Sequence, residues 1–394
     1  MCLSRSPLHG QATHGKKIAV IENEFGEIGI DDALLSKNTK MQADEEIIEM
    51  MNGCICCTVR QDLIVVLNKL AKRVKSGKLK LDGIVIETTG MADPAPVAQT
   101  FFVDDAVKEF ARLDGIVTLI DAKHIEQHLD EEKPEGAENE AVEQVAFADR
   151  MLLNKTDLVS EADLVRVEER LKSINNFAPI LRCANAEVSV DSVLNIHGFD
   201  LKRTLEKEPE FLDTEGEHVH DSSVSSCSFN CKGDLDLDKV QDWISKILQE
   251  KGADIFRMKG VLSIEHSEQQ FVYQAVHMIF NGNFMDKWQP DQERMSKIVF
   301  IGKNLDQEAL KAAFLSCAVT PESKAAKEKN LRFKIGDKVQ CKTGATEWSP
   351  GEVVALLYRD EYMPPGMVAP YQVQLVSGGL IYAPADDDEV VRKV

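Results

Sequence analysis

The sequence predicts an α/β protein built on a doubly wound, mostly parallel sheet, with an α+β domain and a small β-barrel behind it. Three observations carry this. The first is a set of short apolar runs that end in polar or glycine-containing turns: "KKIAVIEN" (16–23), "LDGIVIETTG" (81–90), "LDGIVTLIDA" (113–122) and "DRMLLNKTD" (149–157). Runs of this length without alternation fit strands buried on both faces, as in parallel sheets. The second is that helical patterns separate them, "RQDLIVVLNKLAKRV" (60–74), "PAPVAQTFFVDDAVKEF" (94–110) and "ENEAVEQVAFA" (138–148). Strands alternating with helices put functional loops at the carboxyl ends of the strands. The third is that the pattern resets twice, marking off residues 1–200, 224–318 and 333–394 as separate units.

Residues 201–223, "LKRTLEKEPEFLDTEGEHVHDSS", lose apolar periodicity and read as an acidic linker. Beyond it come a strand ("VSSCSFN"), a helix ("DLDKVQDWISKILQEKG"), two strands ("IFRMKGVLSIEH", "QFVYQAVHMIF"), a further strand ("SKIVFIG") and a helix ("DQEALKAAFLSC"). This is a compact α+β domain over 224–318. "PESKAAKEKN" shifts the composition again, and 319–332 reads as a second linker. From Phe333 onward, turn signals separate short β-rich runs such as "EVVALLYR" and "YQVQLV", which predicts a small barrel.

Composition narrows the function classes. The 394 residues are 43% hydrophobic and can bury a sizeable core. The net charge of −20 repels phosphate backbones and anionic lipid, so neither nucleic acid nor a membrane surface is expected as a partner. No apolar run is long enough to span a bilayer, and "MCLSRSPLHG" lacks the apolar core of a secretory signal. Nine unevenly spaced cysteines argue for reduced thiols rather than a disulfide framework. A soluble cytoplasmic protein is the expectation.

Cys54, Cys56 and Cys57 of "NGCICC" crowd together three of those thiols. The preceding "EEIIEM" reads as a strand and the following "TVRQDLIVVL" as a helix, so the cluster falls at a helix N-terminus, where the dipole and free amides favour thiolates. Three thiolates leave a zinc ion one position short of the four ligands of a closed structural site, which suits a metal that is handed on. A thiol-redox pair and ordinary core packing are the alternatives.

"NKTD" follows a buried strand and is a candidate guanine reader. Asp157 can accept from the two adjacent donors on guanine's edge, Asn154 can reach its ring nitrogen, and the Lys155 stem can lie along the base. In "ETTG", Glu87 can hold Mg2+ directly or through water, and the Gly90 amide can sense a terminal phosphate.

Together "IENEFGEIGID", "NGCICCTVR", "IETTGMADPAPV", "NKTD" and "GDLDLDKVQDWISKILQEKGADIFRMKGVLSIE" resemble the CobW-type family of P-loop GTPases, over residues 12 to 318. Within it they look most like metallochaperones and zinc-regulated GTPase activators. The resemblance implies a P-loop-type GTPase domain with a CxCC metal site and a CobW C-terminal domain. It also implies use of GTP and Mg2+ to gate delivery of Zn2+, or Co2+, to a client metalloprotein such as a methionine aminopeptidase. It makes Cys54, Cys56 and Cys57 metal ligands, with Glu22 and Glu27 of "IENEFGE" and His124 of "DAKH" as further or alternative contacts. A scaffold with a degenerate GTPase fold and a thiol oxidoreductase are the rival functions.

One departure is large. The family opens with a strand and a "GxxGxGKT" loop, whereas here "MCLSRSPLHGQ" stands at that place and the nearby Gly15–Lys16 pair begins a strand. That loop supplies the amides and lysine that cradle phosphates. The chain as it stands is therefore expected to bind GTP poorly and hydrolyse it negligibly. A start set downstream of a longer one is favoured over a pseudo-GTPase.

Weaker signals remain. His218, His220, Cys227 and Cys231 are a candidate second metal stop, set against solvated histidines and unrelated cysteines. His266 and His277 read as packing residues, and Asp149 has no assignable chemistry. The terminal module resembles Tudor-like barrels, in which Trp348, Tyr358, Tyr371 and Tyr382 either line a peptide groove or form the core.

Overall fold

The computed structural model describes residues 16–23, 46–50, 58–88, 93–133, 139–199, 224–276, 279–289 and 292–394. The amino-terminal part holds two three-stranded parallel sheets. In the first, β1 (Ile18–Asn23) lies between β2 (Glu46–Met50) and β3 (Gly83–Glu87). In the second, β5 (Arg150–Asn154) lies between β4 (Val117–Asp121) and β6 (Ile180–Arg182). The central strands are the most apolar: Ile18 to Ile21 and Met151 to Leu153 are buried, as a strand covered on both faces requires. β2, β3, β4 and β6 are the sheet edges among the described residues, and Val117 and Leu119 of β4 are exposed.

The helices follow from spacing and caps. α1 (Thr58–Lys75) buries Leu63, Leu67 and Leu70 on one stripe and ends on Lys72, Arg73 and Lys75, which suit the negative end of the helix dipole. The single helix expected over 94–110 is two, α2 (Ala95–Val103) and α3 (Asp105–Phe110). Asp104 breaks it: its backbone is extended and its side chain accepts from the Val107 amide at 2.9 Å, starting a new helix. After the short α4 (Ile125–Leu129), α5 (Glu140–Phe147) is capped by Asn139, and α6 (Glu161–Ile174) by a Ser160–Asp163 capping box.

The second unit is an antiparallel sheet in the order β10-β9-β8-β11-β7, formed by β7 (Val224–Lys232), β8 (Ile255–Ser263), β9 (Gln269–Val276), β10 (Ile279–Lys287) and β11 (Met295–Lys303). The run 270–280, read as one strand, is a hairpin whose two arms pair from Val276–Ile279 outward. α7 (Leu237–Lys251) and α8 (Gln307–Ser316) cover one face through Val240, Ile244, Leu310 and Phe314. Cys227 and Cys231 belong to this core, and burial pushes the Cys227 thiol up to about 12. Both thiols pack in the apolar core, and His218 and His220 of the candidate second metal stop, like His277, lie outside the described residues. His266 sits in a turn after β8 with φ 61°.

α9 (Pro321–Asn330), capped by Thr320 with Pro321 at its first position, leads to the last unit. Here the expected closed barrel gives way to an open five-stranded sheet, β15-β14-β13-β12-β16, of β12 (Lys338–Lys342), β13 (Trp348–Tyr358), β14 (Ala369–Leu375), β15 (Leu380–Ala383) and β16 (Val391–Lys393). The short strands β15 and β16 form its edges and do not pair with each other. Tyr371 is core, with its hydroxyl accepting from the Phe333 amide, and the Arg392 guanidinium lies 3.9 Å from the centre of the Trp348 ring. These two aromatics are thus engaged internally. No described helix is long and apolar enough to cross a membrane.

Candidate functional site

Glu22, Glu87, His124, Asn154, Lys155 and Asp157 lie at or just beyond the carboxyl ends of parallel strands, in two groups. The first group ends the β4-β5-β6 sheet. β5 runs buried into Asn154, and the chain then turns left-handed at Lys155 (φ 62°) into a short 3-10 turn, Thr156–Leu158. A non-glycine residue in that region needs support. The segment after β6 supplies it. Asn154 Oδ1 accepts from the Ala186 amide at 2.9 Å, and the Cys183 carbonyl accepts from the Thr156 amide and hydroxyl at 3.3 and 3.0 Å.

With Asn154 Oδ1 occupied, its Nδ2 hydrogens remain to donate to an acceptor such as a purine ring nitrogen. Asp157 is exposed, and its carboxylate has no partner among the described residues. The 183–186 segment went unnoticed in the sequence. Its signal is "CANA", small residues after a strand, with Asn185 and Ala186 both left-handed at φ 52° and 58°.

Asp121, at the end of β4 and opposite Asn154 in register, was also missed. Its Oδ2 receives Lys155 Nζ at 2.5 Å and His124 Nδ1 at 3.0 Å, and its Oδ1 receives the Lys123 amide at 2.9 Å. Burial alone would raise the Asp121 pKa, but the hydrogen bonds from Lys155, His124 and Lys123 outweigh it and hold the carboxyl at about 2. One carboxylate thus joins a candidate base-stacking lysine to a candidate metal-contacting histidine. Pairing a histidine's Nδ1 to a carboxylate leaves Nε2 outward, the arrangement common behind metal-bound imidazoles.

The second group ends the β2-β1-β3 sheet. Register places Glu22 of β1 opposite Glu87 of β3, and Glu87 is half-buried. Cys54, Cys56, Cys57, Glu27 and Gly90 lie outside the described residues, and of Glu22 the strand position is what is described. Among the described residues no three His, Cys, Asp or Glu side chains converge to hold a metal ion. His124 is grouped with Lys155, on the other sheet from Glu22.

Comparison with known proteins gives this arrangement its context. Residues 3–182 match the CobW/HypB/UreG nucleotide-binding domain, and residues 224–318 match the cobalamin synthesis protein cobW C-terminal domain. The zinc chaperone YjiA of Escherichia coli (strain K12) is 33% identical over 302 residues, which span 76% of this chain and 90% of YjiA. A zinc-regulated GTPase metalloprotein activator 1 of Dictyostelium discoideum is 28% identical over 362 residues, spanning 78% of this chain and 75% of the relative. The crystal structure of Zn(II)-bound YjiA GTPase superposes with a TM-score of 0.61 at 30% identity, covering 78% of this chain and 91% of that one. Two matched domains in the family's order, and a relative this similar over most of both chains, place the protein: it belongs to the CobW family of nucleotide-binding proteins.

Proposed function

We propose that this chain is a metallochaperone that carries zinc at Cys54, Cys56 and Cys57 and delivers it to a client metalloprotein under the control of a guanine nucleotide. The observation that carries the metal site is local. β2 ends at Met50 and α1 begins at Thr58, so the chain must pass through the three cysteines between a strand's carboxyl end and a helix's amino end. Thiols just ahead of a helix gain thiolate character from its dipole and unpaired amides, and thiolates select zinc over harder ions. Glu22, Glu27 and His124 are the further contacts in this reading. Names of relatives, zinc chaperone and zinc-regulated GTPase metalloprotein activator, support the role.

The base end supports guanine as the nucleotide. Asp157 is exposed and can accept two donors, Asn154 keeps its amide hydrogens for an acceptor, and the Lys155 ammonium is held by Asp121. Adenine has no such pair of donors and would leave the carboxylate without its partners. Glu87 is the proposed Mg2+ residue, and the Gly90 amide the proposed phosphate sensor. GxxxxGK[ST] does not occur in the 394 residues, and the base-reading turn is the nucleotide contact on which this reading rests.

Metal analysis of the anaerobically purified protein tests the site. The chain should carry about one zinc, and a Cys54→Ser, Cys56→Ser, Cys57→Ser variant should carry almost none. Equal metal content in the two would reject the assignment.

A further inference from the structure

Asp149, which had no chemistry in the sequence, is a buried carboxylate that accepts three hydrogen bonds, two of them from buried cations. It lies between α5 and β5. Its Oδ2 accepts the Ile116 amide at 2.9 Å, just ahead of β4, and its Oδ1 accepts Arg257 Nη2 at 2.5 Å and Lys259 Nζ at 2.8 Å. The three side chains are 3, 4 and 8% exposed. Arg257 and Lys259 come from β8, in the C-terminal domain. Alternation along β8 puts Arg257, Lys259 and Val261 on one face, while Met258 and Leu262, on the other, pack under the helices.

The same two cations grip the end of the amino-terminal domain. Arg257 Nη1 donates to the Phe147 carbonyl at 2.6 Å, Lys259 Nζ donates to the Gly198 carbonyl, and both cations lie over the Phe199 ring, at 5.1 and 5.5 Å. Gln274 of β9 donates to the Phe199 carbonyl at 2.9 Å. Gly198 permits the approach, since a Cβ there would stand 2.4 Å from Asp149 Cγ. Around this cluster one apolar core draws on both domains, with Phe147 stacked 5.9 Å from Phe256.

Domains joined by a linker move against each other by default unless their interface is large and apolar. Here the interface is apolar and also encloses an anion between two cations. Separating it exposes all three charges, and removing the anion alone strands two buried cations. We infer that the nucleotide-binding and C-terminal domains are one permanent body, locked by Asp149 between Arg257 and Lys259, and that residues 200–223 are not what holds them together. The lock grips the amino ends of β4 and β5, whose carboxyl ends carry Asp121, Asn154 and Lys155. A partner seated on the C-terminal sheet therefore stands at a fixed distance from the base-reading turn, and movement during a cycle belongs to loops, not to a hinge between these domains. This does not depend on zinc or GTP.

The test uses the full chain with a protease site placed within residues 201–223, cut after folding and passed over a sizing column. The wild-type halves should co-elute, and should still do so in about 1 M salt, because buried pairs are little screened. With Asp149→Ala the cut halves should separate, association falling by at least roughly 100-fold. Should that variant fail to fold, Lys259→Met decides. It keeps the Arg257–Asp149 pair, and its cut halves should come apart on dilution at about tenfold higher concentration than wild type. Wild-type halves that separate on cutting would overturn the permanent body, and a cut Lys259→Met protein that dissociates like wild type would overturn the lock.

Discussion

The two sheet ends that carry the candidate chemistry are built differently. At the end of β4-β5-β6, side chains are fixed by their neighbours: Asn154 by the Ala186 amide, Thr156 by the Cys183 carbonyl, Lys155 and His124 by Asp121. At the end of β2-β1-β3 the strands bring Glu22 and Glu87 into register, while Cys54, Cys56, Cys57 and Glu27 fall between the strands and helices in the sequence. Reading a base needs donors and acceptors held to a few tenths of an ångström, which the first end supplies through its neighbours, while register between parallel strands is what sets the two carboxylates of the second.

With no nucleotide bound, perturbing the base-reading end should leave metal binding at the other end intact. The largest effect is expected from Asp157→Ala, measured as competition between guanine and adenine nucleotides on a version of the chain preceded by a strand and a GxxxxGKT loop. Preference for guanine should fall on the order of 100-fold, as when a site loses the group that pairs a substrate's polar edge. Zinc content should not change. Asn154→Ala comes next. It leaves the Ala186 amide without its acceptor inside a buried loop, and chemical denaturation should report a loss of about 1–3 kcal/mol.

The smallest effect is a pH dependence. Because the Asp121 carboxyl is held below its ordinary value, at about 2, its pairing with Lys155 stabilises the fold fully above the unfolded-state pKa near 4. That contribution is lost as pH falls from about 4 through 2. Asp121→Asn should flatten the acid limb of stability against pH over that window. An unchanged limb would remove Asp121 as the joint between the two groups.

Much of this was legible in the chain. Strand ends were, because buried parallel strands are unbroken apolar runs and "NKTD" follows one directly. The elements misread were decided by contacts that periodicity does not encode. Asp104 stops one helix and caps the next, and the 270–280 run folds back as a hairpin. The open terminal sheet has edges that depend on which strands meet, not on their composition. Cys183, Asn185 and Ala186 were overlooked because their part is played by backbone groups, which carry no side-chain signature. Asp149 was opaque for another reason: its partners, Arg257 and Lys259, lie more than 100 residues away.

The central claim is that metal carriage and nucleotide reading are coupled. Linkage then requires zinc to change nucleotide affinity by the same factor by which nucleotide changes zinc affinity. The direct measurement is titration of a non-hydrolysable GTP analogue into the loop-bearing version, with zinc and with a zinc chelator. Coupling of the usual size predicts affinities that differ by about 5- to 150-fold, with the difference abolished by serine at Cys54, Cys56 and Cys57. Equal affinities with and without zinc would contradict the account.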